Sequence, residues 1–401
     1  MGHIIVVGAG QAGCALVAKL RAQRCSDEIT LIGEEPVPPY QRPPLSKKYL
    51  LGEMAVERLF LRPAAFYTDH HVTLRLGTPV SGVDAQAKTL QLGDETLGYD
   101  QLVLTTGARP RRLPAAIGGT LEGVHVVRTL ADVDRMAGDC VAGKRVLIVG
   151  GGYIGLEAAA VATQMGLNVV LVEMAERILQ RVAAPATSDY FRALHVAHGV
   201  DLREGVGLTT LLEKNGRVSG ATLTDGREIA CDMVIVGVGV DPATDVAKMA
   251  GVAVENGIAV DARGTTSDPA IWAAGDCASF PYHGARIRLE SVQNAIDQAE
   301  AVAVNLSGGN EEYIPQPWFW SDQYDVKLQI AGLNTGYDDV IKRHSAGGVS
   351  HWYFKGETLV SVDAMNDPRS YMIAKRLIEA GKSPARSAVM EPQTDLKSLL
   401  R

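Results

Sequence analysis

Gly8-Ala9-Gly10-Gln11-Ala12-Gly13 and Gly150-Gly151-Gly152-Tyr153-Ile154-Gly155 are two copies of one glycine pattern, G-x-G-x-x-G. Each follows a short apolar run, Ile4 to Val7 or Val146 to Val149, that reads as a buried parallel strand, and each opens a stretch rich in Ala and Leu that reads as a helix. An acidic residue follows each at the distance of the next strand's end: Glu34 after Ile29 to Ile32, and Glu173 after Val169 to Val172. One such pattern is weak evidence. Two complete strand, turn, helix, strand, acid units predict two Rossmann-like dinucleotide-binding domains in an α/β chain.

The backbone explains why glycine is needed. The first of each trio, Gly8 or Gly150, permits the tight turn, and the second, Gly10 or Gly152, lets the main chain approach a pyrophosphate. The third, Gly13 or Gly155, lets helix and strand pack closely, with Ala12 and Ile154 inside the two turns. Free N–H groups at the helix start receive phosphate oxygens. A carboxylate then accepts from ribose hydroxyls and repels a 2′-phosphate, so Glu173 selects NADH over NADPH and Glu34 suits the adenosine ribose of FAD.

The 401 residues, 46% hydrophobic with a formal net charge of −7, predict a soluble protein of two or three domains with no general nucleic-acid signal. No apolar run reaches membrane-spanning length and no leader precedes the first strand, so no membrane association and a cytoplasmic location are expected. Cys14, Cys25, Cys140, Cys231 and Cys277 lack any metal-ligand or iron–sulfur spacing, which predicts reduced thiols and no bound metal. The stretch Tyr40 to Lys48, where a disulfide reductase of this plan carries its redox cysteines, contains none. Cys14 reads as a packing residue.

Leu102 to Pro110 and Val234 to Pro242 each read as a strand running into a Gly/Pro turn, where the chain crosses between domains. The expected division is a discontinuous flavin domain, 1–108 and 243–316, an NADH domain, 109–242, and a C-terminal α+β domain, 317–401. In the last, Lys327 to Ile330 and His351 to Phe354 suggest antiparallel strands, followed by a helix near Ser370 to Ala380 and a polar tail.

Several stretches together carry a resemblance. They are the first glycine turn, RPPLSK at Arg42 to Lys47, TTG at Thr105 to Gly107, GGGYIGLE at Gly150 to Glu157, TSDPAIWAAGD ending at Asp276, and PWFWSDQY at Pro317 to Tyr324. In order, they resemble the FAD-dependent NADH:ferredoxin reductases, the putidaredoxin reductase-like family that includes the reductase of biphenyl dioxygenase. The resemblance implies a glutathione-reductase-type fold with a C-terminal domain over the flavin. It also implies an enzyme that takes hydride from NADH onto FAD and passes single electrons to a separate [2Fe–2S] ferredoxin serving a cytochrome P450 or a dioxygenase. The alternatives are an NADH oxidase or diaphorase, or a redox-responsive flavoprotein like apoptosis-inducing factor.

Carried over residue by residue, the resemblance gives further roles. Val80, on the strand after Glu34, offers a backbone contact to adenine, and Arg42 and Arg128 contact FAD phosphates. Asp276 accepts from ribityl hydroxyls, and Val292 starts a helix aimed at the flavin pyrimidine. Lys47, projecting from a helix start, and its partner Glu157 stand beside the reacting edge of the ring, where a cation stabilises the electron-rich flavin. Trp318 and Trp320 share one strand face, with Trp320 on the flavin side. Arg286, Arg288, Lys327, Lys342 and Arg343 are candidates for a basic docking rim.

Overall fold

The computed structural model describes residues 2–400 and divides the chain into two compact units. The first comprises Met1–Arg42, Ala55–Arg109 and Val240–Pro315; the second comprises Pro43–Met54, Pro110–Gly239 and Gln316–Arg401.

In the first unit a five-stranded parallel sheet runs in the order Ile271–Ala273, Gln101–Leu104, His3–Val7, Glu28–Ile32, Val72–Arg75. Its central strand is an unbroken apolar run because both faces of the sheet are covered: Ile4 and Val6 pack under helices, while Ile5 and Val7 pack on Leu90, Leu92 and Ala247, and Ile4, Ile5 and Val6 are all buried. The helix Gln11–Ala22 lays Ala12, Leu16, Val17 and Leu20 against it. The alanines and small residues of Val292–Leu306 pack beside that helix, sharing a core with Ala295, Ala299, Val302 and Ala303. Strand order reverses about His3–Val7, which leaves a crevice at the carboxyl ends of this strand and Gln101–Leu104.

The second unit repeats the plan. Its parallel sheet runs Asp201–Glu204, Asn168–Glu173, Arg145–Val149, Met233–Val236, Val124–His125, and the helix Tyr153–Gln164 follows the middle strand. The duplication reaches further than the glycine turns. In each unit a three-stranded antiparallel meander, built from Gly82–Asp84, Thr89–Leu92 and Glu95–Gly98 or from Leu208–Lys214, Arg217–Leu223 and Glu228–Ala230, joins the outer strand back to the inner one.

The second unit also holds an antiparallel sheet in the order Trp318–Gln323, Val326–Gly332, Thr358–Met365, Val349–Lys355, Asp339–His344. One face of this sheet and the helix Pro368–Glu379 form a core through Trp352, Phe354, Val362, Tyr371 and Leu377. Its other side joins the core of the parallel sheet: Val326, Leu328, Val349 and Met365 cluster with Ile148, Leu156 and Phe191, and Leu50 packs on them. Burying a Leu or Phe side chain is worth about 1.5–3 kcal/mol, which accounts for the segment Pro43–Met54 clustering with this unit.

Two expectations for the C-terminal part change. The tail is not simply polar: it forms the short helix Arg386–Met390 and a 3₁₀ turn at Leu396–Leu400, anchored by buried Val389 and Leu396. The anchor explains Arg343, which is buried rather than part of a basic rim. Its guanidinium donates to the carbonyls of Val389, Glu391, Pro392 and Thr394 at 2.7–3.1 Å. Arg343→Ala orphans these carbonyls and should cost about 2–4 kcal/mol. Thermal unfolding checks this, with NADH affinity unchanged as the control. Arg286 and Arg288 are likewise engaged internally, the first with the Val260 and Ser279 carbonyls, the second with the Asp276 carbonyl and Glu290. Lys327 and Lys342 remain exposed.

Among the described residues no helix is long and apolar enough to cross a membrane, and no group of His, Cys, Asp and Glu is arranged to hold a metal. All five cysteines are free. Cys14 is buried against the Tyr67 hydroxyl at 3.7 Å, and burial pushes its thiol pKa up, as suits an inert packing residue.

Candidate functional site

The two glycine turns are built alike. Gly8 has φ +120° and Gly150 φ +108°, both in the region L side chains avoid. A Cβ on Gly8 would stand 2.2 Å from the Thr105 carbonyl oxygen; one on Gly150 would stand 2.4 Å from that of Gly237. Each first glycine thus lies where the chain passes the end of the neighbouring inner strand. The third glycines are at least as tight, since a Cβ on Gly13 or Gly155 would meet the carbonyl oxygen of Gly8 or Gly150 at 2.2 or 2.0 Å.

The second glycines are the opposite. Around the Cβ positions of Gly10 and Gly152 nothing lies within 4 Å. Each is the N-cap of its helix, and neither helix has a side-chain cap. By contrast Thr129 and Ser291 cap the helices that follow them. Open space, uncapped N–H groups and the positive end of a helix dipole fit a pyrophosphate at both turns.

In the first unit the turn Ala274–Asp276 lies against the cradle. A Cβ on Gly275, at φ +84°, would stand 3.0 Å from Ala12 Cβ and 3.8 Å from Ala295 Cα. Gly275 N–H donates to Gln298 Oε1 at 2.9 Å, so the helix Val292–Leu306 fixes this turn. Gly8, Gly10, Ala12, Gly13, Asp276 and the start of the Val292 helix therefore form one constellation, which fits a long dinucleotide laid from the glycine turn towards that helix. Gln298 was missed in the sequence because its role depends on a packing contact between helices.

The remaining expectations for this unit are modified. Glu34 lies two residues beyond its strand, exposed, with Arg109 3.7 Å away. The register pairs Val7 with Ile32 and Val149 with Val172, so Gly33, not Glu34, is the counterpart of Glu173. Its neighbour Glu35 is the acid that holds Arg42, accepting from the guanidinium at 2.7 Å and from the Tyr40 hydroxyl at 2.6 Å. Val80 is not on a strand: the strand ends at Arg75, and Val80 is a half-buried loop residue packed on the apolar core.

In the second unit Glu173 ends its strand as expected. Its carboxylate accepts from Gly151 N–H at 2.7 Å and Ala175 N–H at 2.8 Å, which fixes it at the rim of the glycine turn. Three large apolar side chains on segments flanking the turn are exposed: Ile154 at 46%, Met174 at 81% and Val238 at 37%. Such exposure around a polar cradle suits the flat faces of a nucleotide. Met174 and Val238 gave no sequence signal beyond their neighbours. Arg128 is half-buried in this unit, immediately before the Thr129 cap.

Lys47 and Glu157 meet in the second unit. Lys47 does not project from a helix start; it sits inside a kinked five-residue turn, Leu45–Tyr49, with non-helical φ −131° and ψ −111°. Its Nζ lies 2.9 Å from Glu157 Oε1 and 3.7 Å from Asp322 Oδ2. Glu157 is 6% exposed on the second glycine helix, and Ser321 Oγ donates to its Oε1 at 2.7 Å. Burial pushes the Glu157 pKa up, while Lys47 and Ser321 draw it down. Beside Ser321, the Trp318 and Trp320 rings lie 5.6 Å apart on one strand face, and Phe319 faces Tyr153 at 5.0 Å. Trp318 packs on the C-terminal core, whereas Trp320 remains half-buried outside it.

Comparison with known proteins agrees with these features. Residues 2–299 match the Pyridine nucleotide-disulphide oxidoreductase family and 318–400 match the Reductase C-terminal family. The chain is 42% identical over 404 residues to the ferredoxin–NAD(P)(+) reductase of a Sphingomonas species, covering 99% of this chain and 97% of that one. The fold superposes with a TM-score of 0.96 on the ferredoxin reductase for the CYP199A2 system from Rhodopseudomonas palustris, at 38% identity and full coverage of both chains. It superposes equally, at 0.96 and 36% identity, on the reductase in a covalent putidaredoxin reductase–putidaredoxin complex, covering 100% of this chain and 98% of that one.

Proposed function

Because the chain belongs to the pyridine nucleotide-disulphide oxidoreductase family, and to its ferredoxin reductases, we propose that it is a flavoprotein carrying electrons from NADH through FAD to a [2Fe–2S] ferredoxin that serves a cytochrome P450 or another oxygenase. The observation that carries this reading is the pair of uncapped turns, each with an open second glycine, in one polypeptide. Bound FAD supplies the chemistry of accepting electrons as a pair and releasing them singly.

The chain's own residues bind, orient and set charge. Gly8, Gly10 and Gly13 bring main-chain N–H groups to the FAD pyrophosphate, with Ala12 in the turn; Glu34, Arg42, Val80, Arg128, Asp276 and Val292 make the other FAD contacts. Gly150, Gly152, Ile154 and Gly155 form the NADH cradle, and Glu173 accepts from its adenosine ribose. Lys47, held by Glu157, provides positive charge for the reduced state, and Trp320 covers the route to the acceptor. We assign FAD to 1–108 and 243–316, NADH to 109–242, and 317–401 to a third domain. Free cysteines throughout the described residues support a cytoplasmic location.

Anaerobic stopped-flow tests the proposal. NADH should bleach the yellow protein, and added [2Fe–2S] ferredoxin should then couple oxidation to cytochrome c reduction. Bleaching with no ferredoxin-dependent cytochrome reduction would make the protein an oxidase or diaphorase instead. Glu173→Ala removes both the ribose acceptor and the charge opposing a 2′-phosphate. It should cut the NADH/NADPH preference by about tenfold or more, and unchanged discrimination would reject the role given to Glu173.

A further inference from the structure

Behind Glu157 runs a line of buried side chains that the reading above leaves without a role. Ser321 and Gln323 share one face of the strand Trp318–Gln323, and His195 comes from the helix Pro185–Ala197; all three have 0% exposure. Gln323 Nε2 donates to Ser321 Oγ at 3.1 Å, and Ser321 Oγ donates to Glu157 Oε1 at 2.7 Å. His195 Nε2 lies 2.8 Å from Gln323 Oε1, and Tyr324 OH lies 3.3 Å from His195 Nδ1.

Hydrogen-bond chemistry fixes the direction of every link. An amide oxygen only accepts, so His195 Nε2 carries the proton; Nδ1 of the neutral ring is then an acceptor, and the Tyr324 hydroxyl donates to it. The serine hydroxyl has one proton, and the carboxylate takes it. All four donors thus point the same way, towards Glu157. His195 suits this fixed tautomer because burial lowers its pKa to about 4, keeping the ring neutral at physiological pH. The other groups bearing on the two titratable ends are Lys47 and Asp322 at Glu157, and His198, stacked on Tyr324 at 3.7 Å, at His195.

We infer that Ser321, Gln323 and His195 are positioning residues: a one-way donor chain that holds Glu157 as a carboxylate in the protein interior and so keeps the Lys47 ammonium in place. The inference deepens the proposed function and rests on it for the meaning of Lys47. The physical need is clear from burial. A carboxylate this far from water favours its neutral form unless charge and donors compensate, and a protonated Glu157 no longer pairs with Lys47. Ser321 supplies the direct donor. Gln323 and His195 keep the Ser321 hydroxyl turned to Glu157 rather than elsewhere, each link polarising the next.

The test is an infrared pH titration of the FAD-loaded protein. The protonated-carboxyl band of Glu157 is assigned by its absence in Glu157→Gln. At a given pH, Ser321→Ala should raise the ratio of protonated to ionised Glu157 at least about tenfold, the order expected for losing a hydrogen bond to a charged group. Gln323→Leu, which leaves the hydroxyl in place but unoriented, should shift the band in the same direction by less. The pH at which the flavin midpoint potential bends should move with the band.

A folded, yellow Ser321→Ala protein with an unmoved band would reduce Ser321 to space filling and overturn the inference. If that variant does not fold, an unmoved band in Gln323→Leu overturns it equally. The band needs neither NADH nor ferredoxin, so absent electron transfer counts against the proposed function alone.

Discussion

Gly155→Ala should purify yellow and fail to be reduced by NADH. The added Cβ would stand 2.0 Å from the Gly150 carbonyl oxygen, a backbone atom that cannot swing aside as a flexible side chain would. Relief requires the helix Tyr153–Gln164 to move away from its own turn, and the N–H groups that receive the pyrophosphate move with it. A displacement near 1 Å is enough to cost roughly a hundredfold in rate where reactants must be held in register. The clash lies in the second cradle alone, so the flavin should stay bound. The matched variant Gly13→Ala, whose Cβ would meet the Gly8 carbonyl at 2.2 Å, should instead weaken FAD binding and give pale or colourless protein. Absorbance spectra and NADH titrations of the two variants separate the sites. A yellow Gly155→Ala protein with normal NADH affinity and bleaching rate would remove the nucleotide role from the second turn.

The asymmetry among the glycines also shows what a sequence can carry. The first and third glycines answer to backbone atoms a few residues away or at the end of one adjacent strand, so spacing alone predicts them. The two parallel α/β units follow from the same pattern, since an apolar run, a glycine turn and a helix admit few arrangements. What spacing does not carry is register and distant pairing. Counting places Glu34 at the strand end, yet the ladder puts Gly33 at the position of Glu173, and Glu35 makes the ion pair with Arg42. Ser321 has its partner 164 residues away, and nothing in its neighbourhood distinguishes it from a filler in an alternating strand. Arg343 reads as surface charge until the tail folds back and offers it four carbonyls. Lys47 was legible as a residue but not as a conformation, because the kink at φ −131° and ψ −111° inside Leu45–Tyr49 leaves no mark in the residue pattern.

Lys47→Met should be the most destabilising single change at the site, and the damage should come from Glu157 rather than from lost contacts of the lysine. Removing one partner of a buried ion pair leaves an uncompensated charge and typically costs about 3–5 kcal/mol. Here burial is already the largest influence on Glu157, and Lys47 is the largest one opposing it. Without the ammonium the pKa of Glu157 rises further, so the folded protein holds a proton that the unfolded chain gives up. Stability of the variant should therefore fall as pH rises above the ordinary carboxylate range towards the folded pKa, because the unfolded carboxyl ionises freely there while the folded one resists. Lys47→Met/Glu157→Gln removes the stranded charge and keeps the Ser321 hydroxyl bonded to an amide oxygen. Denaturant unfolding near neutral pH should find this double variant more stable than Lys47→Met, with a flatter pH dependence. Electron delivery should recover in neither, since the cation is absent from both. If Lys47→Met unfolds at the same denaturant concentration as the double variant at every pH, Glu157 is not a charge that Lys47 compensates, and the ion pair adds little to stability.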